Sequence, residues 1–138
     1  MRQAIHTLLL ETKGRGLVEF THQVLRWLAS EKFSAGLLTI YCRHTSASLL
    51  IQENADPDVQ TDMQNYFERL APESDVYIHS AEGPDDMPAH LRAALTQTSL
   101  SIPIMDGHPA LGTWQGIYLF EHRARPHRRE IVLHAIGE

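Results

Sequence analysis

The chain has 138 residues, of which 43% are hydrophobic and 21% charged, and its formal net charge is −5. This length predicts a single domain over residues 1–138 with a genuine core, and the negative charge argues against a nucleic-acid-binding protein. No apolar run approaches the ~20 residues that cross a bilayer, and the apolar start of the chain is too short for a secretion signal. Because Cys42 is the single cysteine, no internal disulfide can form, and these properties together favour a cytoplasmic protein.

The first part of the chain predicts three strands, over residues 3–11, 37–43 and 47–52. In the second of these, apolar side chains alternate and Cys42 falls on the apolar side, which predicts a core thiol rather than a nucleophile. The same alternation places His44 on the inward face, just where the strand ends.

Two helices are predicted between these strands and after them. Residues 20–31 carry apolar side chains at helical spacing, with Thr21 as the expected cap. The clearer helix is 57–70, because Asp56 is a good N-cap and Pro57 suits the first helical position. Its apolar residues form one stripe that we expect to face the core, namely Val59, Met63, Tyr66, Phe67 and Leu70.

The second half of the chain predicts further strands and one short helix. Residues 76–80 are expected to form a short strand, and residues 88–95 a helix that Asp86 caps. Three strands are expected to finish the chain, over 99–104, 113–123 and 130–136. Strands with a few interposed helices and mostly short connections predict an α+β fold, mainly an antiparallel β-sandwich with about three helices.

Three polar segments, 44–58, 79–90 and 112–123, each adjoin a strand end or a helix start. A buried polar group without a hydrogen bond costs about 1–3 kcal/mol, so short polar side chains interleaved with apolar ones indicate the wall of a pocket. Both faces of the last segment are largely apolar, so its carboxylate, Glu121, needs a partner. That partner could be a metal, a substrate or a hydrogen-bond donor, or an internal salt bridge with Arg123 or Arg43.

Histidine is unusually frequent, with nine residues, and imidazole is the commonest metal ligand. We expect His44, His79 and His90 to lie at two strand ends and one helix start, a geometry that suits a metal site with an open position. Their spacing matches no short metal signature, so hydrogen-bonded or surface histidines are the alternative. Four others are predicted as structural or surface residues, namely His6, His22, His127 and His134. His108 and His122 lie close enough to the third polar segment to remain possible site residues.

Several motifs spread over nearly the whole chain resemble the YjbQ family, small proteins often described as secondary thiamine-phosphate synthases. The motifs are His44–Ser48, Glu53–Pro57, Glu82–Gly83, Asp85–His90, Leu111–Gly116 and Glu121–Arg123. The resemblance implies an α+β sandwich, a homotrimer and a histidine-containing site for a divalent metal. It also implies an activity that joins a hydroxymethylpyrimidine diphosphate to a thiazole phosphate, giving thiamine phosphate and pyrophosphate.

Carried onto this chain, the resemblance assigns three groups of site residues. The catalytic candidates are Glu53, Gln115 and Glu121. The substrate-binding candidates are Asn54, Asp56, Glu82 and Arg123. The metal ligands are His44, His79 and His90. Cys42 and Arg43 depart from the commoner family residues, and Arg43 beside the site is expected to alter the preference for anions.

The chemistry leaves three functional hypotheses for a small, phosphorylated substrate and no nucleic-acid or membrane partner. The first is the synthase, although pyrophosphate chemistry favours Mg²⁺ with oxygen ligands whereas three imidazoles favour Zn²⁺. The second is a zinc-dependent hydrolase of a small molecule, with Glu53 or Glu121 as the base. The third is a trimer that binds a metal or small ligand without turnover.

Overall fold

The computed structural model describes residues 1–138 and contains three helices and eight strands. The strands are β1 Arg2–Glu11, β2 Gly16–Glu19, β3 Gly36–Cys42, β4 Ala47–Glu53, β5 Ser99–Met105, β6 His108–Pro109, β7 Gln115–Glu121 and β8 Arg128–Gly137. The helices are α1 Thr21–Glu31, α2 Pro57–Leu70 and α3 Asp86–Leu95. None of these helices combines the length and the apolar character that a membrane crossing requires.

The strands form two sheets, both antiparallel throughout. One sheet has the order β1-β8-β3-β5-β6, and the other has the order β2-β7-β4. A cluster of 18 buried residues takes side chains from both sheets and from α1, which is how a two-layer domain removes its apolar faces from water. The predicted α+β antiparallel sandwich is confirmed.

Helix α2 starts as the sequence predicts, but its apolar stripe is only partly buried. The Asp56 carboxylate accepts a hydrogen bond from the backbone N–H of Asp58 at 2.9 Å, and Pro57 is the first helical residue. Within the stripe only Phe67 is buried, whereas Tyr66 and Leu70 are about half exposed. The prediction that the whole stripe faces the core is therefore wrong for this chain.

Helix α1 begins at Thr21, which does not act as its side-chain cap. The Thr21 hydroxyl instead donates to the Glu19 carboxylate at 2.8 Å and accepts the backbone N–H of Ile117 at 2.8 Å. This hydroxyl therefore joins the end of β2 to β7. Strand β2 itself, only four residues long, is one of two short strands that the sequence prediction missed, the other being β6.

Residues 76–80 do not form the predicted strand, because no neighbouring strand pairs with them. Their alternating apolar side chains, Val76 and Ile78, are essentially fully exposed. Helix α3 starts two residues earlier than predicted, at Asp86 itself, and the cap position falls to Asp85. Asp86 does not cap the helix because its side chain has other partners.

One buried ion pair joins the two sheets at the end where β4 begins and β7 ends. Glu121 of β7 is fully buried and contacts Arg129 of β8, with the Arg129 Nε 2.9 Å from Glu121 Oε1. The Thr12 hydroxyl donates to the same oxygen at 2.6 Å, and Arg129 also donates to the Ser46 hydroxyl at 3.0 Å. The salt bridge predicted for Glu121 thus exists, but its partner is Arg129 rather than Arg123 or Arg43.

Breaking this pair should destabilise the fold strongly. Glu121→Gln leaves the buried Arg129 guanidinium without a countercharge, and we expect the free energy of unfolding to fall by about 3–5 kcal/mol in urea titrations. Glu73→Gln is the matched control, because it breaks the more exposed pair with Arg15 and should cost at most about 1 kcal/mol. Equal losses in the two variants would contradict a special role for the buried pair.

Candidate functional site

Two histidines and one aspartate converge at the start of α3. The Asp86 Oδ2 lies 2.6 Å from His79 Nε2 and 3.0 Å from His90 Nε2. These three atoms all lie within 4.8 Å of one another. Because a carboxylate oxygen only accepts, each of the two contacts needs either an N–H that donates to the oxygen or a metal ion that both atoms bind.

The local structure explains how these side chains meet. Asp86 and His90 are four residues apart on α3, so they lie on the same face of the helix. His79 comes from the extended segment that precedes the helix and is partly exposed. The His90 Nδ1 lies 3.0 Å from the carbonyl oxygen of Thr45, and since a carbonyl only accepts, Nδ1 carries a proton. With the Nδ1 proton donated to Thr45, Nε2 is the nitrogen of His90 that faces the cluster.

Arg123 holds the acidic part of this cluster in place. Its Nη1 lies 2.9 Å from Asp86 Oδ1, its Nε donates to Asp85 Oδ2 at 2.9 Å, and its Nη2 donates to the carbonyl of Glu82 at 3.1 Å. Burial opposes ionisation of Asp86, but the hydrogen bond from His79 and the nearby cationic groups outweigh burial and lower the pKa of this carboxyl. The hydrogen bond to Asp85 in turn raises the pKa of Arg123.

The donor set fits a divalent metal ion of the first transition row. Two imidazole nitrogens and one carboxylate oxygen leave a further coordination position open, as in catalytic zinc sites. The surroundings also fit, because ligand histidines commonly donate their other N–H to a backbone carbonyl, as His90 does to Thr45. Imidazole ligands suit Zn²⁺ better than Mg²⁺. Asp86, which the sequence prediction used only as a helix cap, was detectable from its four-residue spacing to His90.

His44, the third predicted metal ligand, is not part of this group. Its Nε2 accepts the backbone N–H of Glu130 at 2.7 Å, and its Nδ1 lies 3.4 Å from Arg129 Nη1. Burial first and then the Arg129 charge lower the pKa of His44, which favours the neutral ring. His44 instead lines a groove of about 530 Å³ between the end of β3 and α3, and His90 lines the same groove from the other side.

Four predicted site residues lie at the opposite end of the three-stranded sheet. In the pairing of β4 with β7, Ala47 lies opposite Glu121 at the end of the sheet near the His79–Asp86–His90 cluster. Glu53 lies opposite Gln115 at the other end. Each strand has seven residues, so the two ends are about 20 Å apart. The structure therefore does not bring this group together with His79 and His90 within one chain. Its members are Glu53, Asn54, Asp56 and Gln115.

The far group makes local hydrogen bonds. Glu53 Oε2 accepts the backbone N–H of Asp56 at 3.2 Å, and the Gln115 Oε1 accepts the N–H of Gly112 at 2.8 Å. Asp56 caps α2. These contacts account for the three side chains as turn and cap residues, and Asn54 is exposed beside them.

The other two predicted site carboxylates, Glu121 and Glu82, differ in burial and in how many hydrogen bonds they already accept. The fully buried Glu121 uses both oxygens, because Oε2 also accepts the backbone N–H groups of His122 at 3.0 Å and Arg123 at 3.4 Å. Both oxygens of Glu121 thus already accept hydrogen bonds from other groups of the chain. Glu82, predicted to bind substrate, is two-thirds exposed at 66%, and its Oε2 lies 3.8 Å from His79 Nε2. Glu82 is the exposed carboxylate beside the cluster.

A buried polar network lies behind the cluster and ties the end of α3 to the sheet. His122 Nε2 lies 2.8 Å from the Ser48 hydroxyl, which accepts a hydrogen bond from Thr96. The His122 Nδ1 is buried without a partner. Burial, followed by the charges of Arg92 and Arg129, lowers the pKa of His122 to about 3.

Comparison with known proteins gives a consistent result over almost the whole chain. The family model described as "UPF0047 protein YjbQ-like" matches residues 6–138. The UPF0047 protein sll1880 of Synechocystis is 51% identical, over 99% of this chain and 94% of its own length. The UPF0047 protein YjbQ of Escherichia coli O157:H7 is 43% identical, over 96% of both chains.

Solved structures agree with these sequence matches. An uncharacterized protein of the YjbQ/UPF0047 family from Clostridium acetobutylicum superposes with a TM-score of 0.88 at 33% identity, over 95% of this chain and 99% of that one. A hypothetical protein from Aeropyrum pernix gives a TM-score of 0.90 at 27% identity, over 98% and 99% of the two chains.

His122 should make the stability of the fold depend on acid. Its pKa is about 3 in the folded chain against an ordinary value of 6.5, so between these pH values the unfolded chain binds a proton that the folded chain lacks. The free energy of unfolding should therefore fall as the pH decreases through this window, by up to about 1.4 kcal/mol per pH unit from this group. Urea titrations of wild type and His122→Gln at pH 6.5, 5.5 and 4.5 measure it.

The His122→Gln variant should lose that share of the slope. His22→Gln, which replaces an exposed histidine, should keep the wild-type slope. If wild type and His122→Gln lose stability in parallel over this range, the buried neutral imidazole is not the cause.

Proposed function

The chain belongs to the UPF0047 family of YjbQ-like proteins, and from that premise we propose that it is a metal-dependent hydrolase of a small phosphorylated molecule. One observation carries the proposal, namely that His79 Nε2, His90 Nε2 and Asp86 Oδ2 converge within 4.8 Å. We further propose Zn²⁺ as the preferred ion, with Mg²⁺ less suited, and a cytoplasmic location.

The residues of the site would divide the work between them. A divalent ion held by His79, Asp86 and His90 would lower the pKa of a bound water and polarise the substrate. Glu82, which lies beside His79, would take the proton that the attacking water loses and pass it to the leaving group. Arg123 would keep Asp86 oriented, acting through that ligand rather than on the substrate. In this proposal Glu82 replaces Glu53 and Glu121 as the base.

The synthase reaction implied by the sequence resemblance is the second candidate. It gains support because the ligand set contains a carboxylate oxygen from Asp86 beside the two imidazoles, which makes it less exclusively suited to zinc. It also gains support from the neighbouring groove, since none of its nine lining residues is acidic. Such a wall is compatible with a diphosphate.

We also propose that the chain assembles as a homotrimer. The supporting observation is that several apolar side chains have no partner within one chain. Val76 and Ile78 are essentially fully exposed, and the outer face of the five-stranded sheet exposes Ile5 and Leu9 by more than half. Exposed apolar groups of this kind mark contact surfaces. Assembly could also bring the far group of one chain near the metal cluster of another.

Metal binding should depend on the cluster and not on His44. Titration calorimetry with ZnCl₂ should give one site per chain in wild type, and His79→Ala or His90→Ala should weaken Zn²⁺ binding by about 100-fold or more. His44→Ala is the matched control and should change the affinity by no more than about twofold. Zinc affinity that fell only in His44→Ala would contradict the proposed ligand set.

Hydrolysis should depend on Glu82. With Zn²⁺ bound, a panel of p-nitrophenyl esters and phosphate esters should give turnover, and Glu82→Gln should lower kcat by about 100-fold with unchanged zinc affinity. Thiamine-phosphate synthesis is assayed in parallel with Zn²⁺ and Mg²⁺. Synthesis without hydrolysis would favour the second candidate, whereas zinc binding without either turnover would leave a non-catalytic metal-binding protein.

The assembly is measured by size-exclusion chromatography with light scattering. We expect a mass three times the 15.6 kDa of one chain. A charged substitution at the exposed apolar surface, Ile78→Lys, should shift the mass toward that of the monomer if this segment lies in the contact. A single-chain mass for the wild type at micromolar concentration would refute the trimer.

A further inference from the structure

The groove beside the cluster is lined by an arginine and by no acidic residue. It has a volume of about 530 Å³ and lies between residues 41–45 at the end of β3 and the helix α3. None of its nine lining residues is an aspartate or glutamate, although the whole chain has 17 acidic residues and a net charge of −5. The nine lining residues therefore offer donors and one guanidinium to a ligand and carry no carboxylate of their own.

Arg43 and His44 are the strongest donors in this groove. Arg43 has five N–H donors, and the one side-chain contact it makes is from Nη1 to the Glu130 carboxylate at 2.8 Å. The backbone N–H of Glu130 donates to His44 Nε2, so in the neutral ring the proton sits on Nδ1. The one polar side-chain contact of that Nδ1 is with another donor, Arg129 Nη1, at 3.4 Å. No acceptor in the chain satisfies this N–H.

The remaining wall is apolar or hydroxylated. The Tyr41 side chain is about half exposed, and Ala93 and Ala94 line the groove from α3. Thr45 and Thr98 line it as well and carry hydroxyl groups. An aromatic side chain and small methyl groups offer apolar surface to a flat ring, while several N–H and O–H donors match the three terminal oxygens of a phosphate better than the two of a carboxylate.

We propose that this groove binds a small organic phosphate with a flat ring, and that Arg43 is the residue that selects the phosphate. Because His90 belongs to both the groove and the metal cluster, a ligand seated here would extend from the anion anchor toward the metal. In that arrangement Arg43 holds the substrate by its phosphate group, and the bond to be broken lies nearer His90. This assignment rests on the proposed function for its metal end but not for its anion end.

The test uses phenylphosphonate, a stable molecule with both a flat ring and a phosphate-like head. Calorimetric titration of the zinc-free protein should show binding that is about 10-fold tighter than for inorganic phosphate or phenylacetate. Arg43→Gln should weaken it by about 5- to 20-fold through loss of charge-assisted hydrogen bonds. Glu130→Gln should tighten it by about two- to fivefold, because Arg43 is then free of its exposed partner.

Arg15→Gln is the matched control, since Arg15 is in another ion pair, with Glu73, and its loss should leave the affinity unchanged. Arg43 is 59% exposed in its side chain, so the Arg43→Gln variant is expected to fold normally. Opposite effects of Arg43→Gln and Glu130→Gln support the assignment. Equal affinity for phenylacetate, or an affinity that neither substitution changes, overturns it.

Repeating the titrations with zinc-loaded protein separates this inference from the proposed function. If zinc does not bind but phenylphosphonate binding still depends on Arg43, the groove assignment stands and the metal proposal fails. If zinc binds at His79 and His90 while phenylphosphonate ignores Arg43, the metal proposal stands and the groove assignment fails.

Discussion

The buried pair between Glu121 and Arg129 is the interaction on which the rest of the molecule depends. It joins a strand of the three-stranded sheet to a strand of the five-stranded sheet, with one member fully buried and the other nearly so. A buried charge is tolerated only when its partner and its hydrogen bonds are in place, and here both carboxylate oxygens are saturated. The same carboxylate accepts the backbone N–H groups of His122 and Arg123, so it also sets the direction of the chain as it leaves β7.

The residues that follow β7 connect the buried core to the candidate metal site. Arg123 comes two residues after Glu121, and its guanidinium contacts Asp85 and Asp86. Asp86 then meets His79 and His90 with its other oxygen. Hydrogen bonds and ion pairs thus connect the buried Glu121 to Arg123, Arg123 to Asp86, and Asp86 to the two partly exposed histidines. Ligands supported in this way keep their orientation without a bound ion, which lowers the cost of capturing one.

The sequence predicted most of the fold because its local signals agreed with the tertiary structure. Helix α2 follows from Asp56 and Pro57, and the long strands follow from alternating apolar residues. Residues 76–80 show the same alternation, but a strand also needs a neighbour, and no other segment of the chain pairs with them.

The structure brings together only some of the predicted site residues, for a similar reason. His79 and His90 lie close together, but alternation along a strand says which face a side chain takes and not which strand end meets which helix. Glu53 and Gln115 therefore were grouped with the histidines although β4 and β7 separate them by their whole length. Asp86 lies beside both histidines, but its position before a helix predicts only a cap.

The central claim is that His79, Asp86 and His90 bind one divalent metal ion, and anomalous diffraction from zinc-soaked crystals tests it most directly. The account predicts one strong zinc peak per chain at about 2.0–2.2 Å from His79 Nε2, His90 Nε2 and an Asp86 oxygen. The His44 ring should stay bonded to the Glu130 backbone in the same map. A zinc peak at His44 without His79, or no peak among these three residues at a zinc concentration that saturates calorimetric binding, would contradict the account.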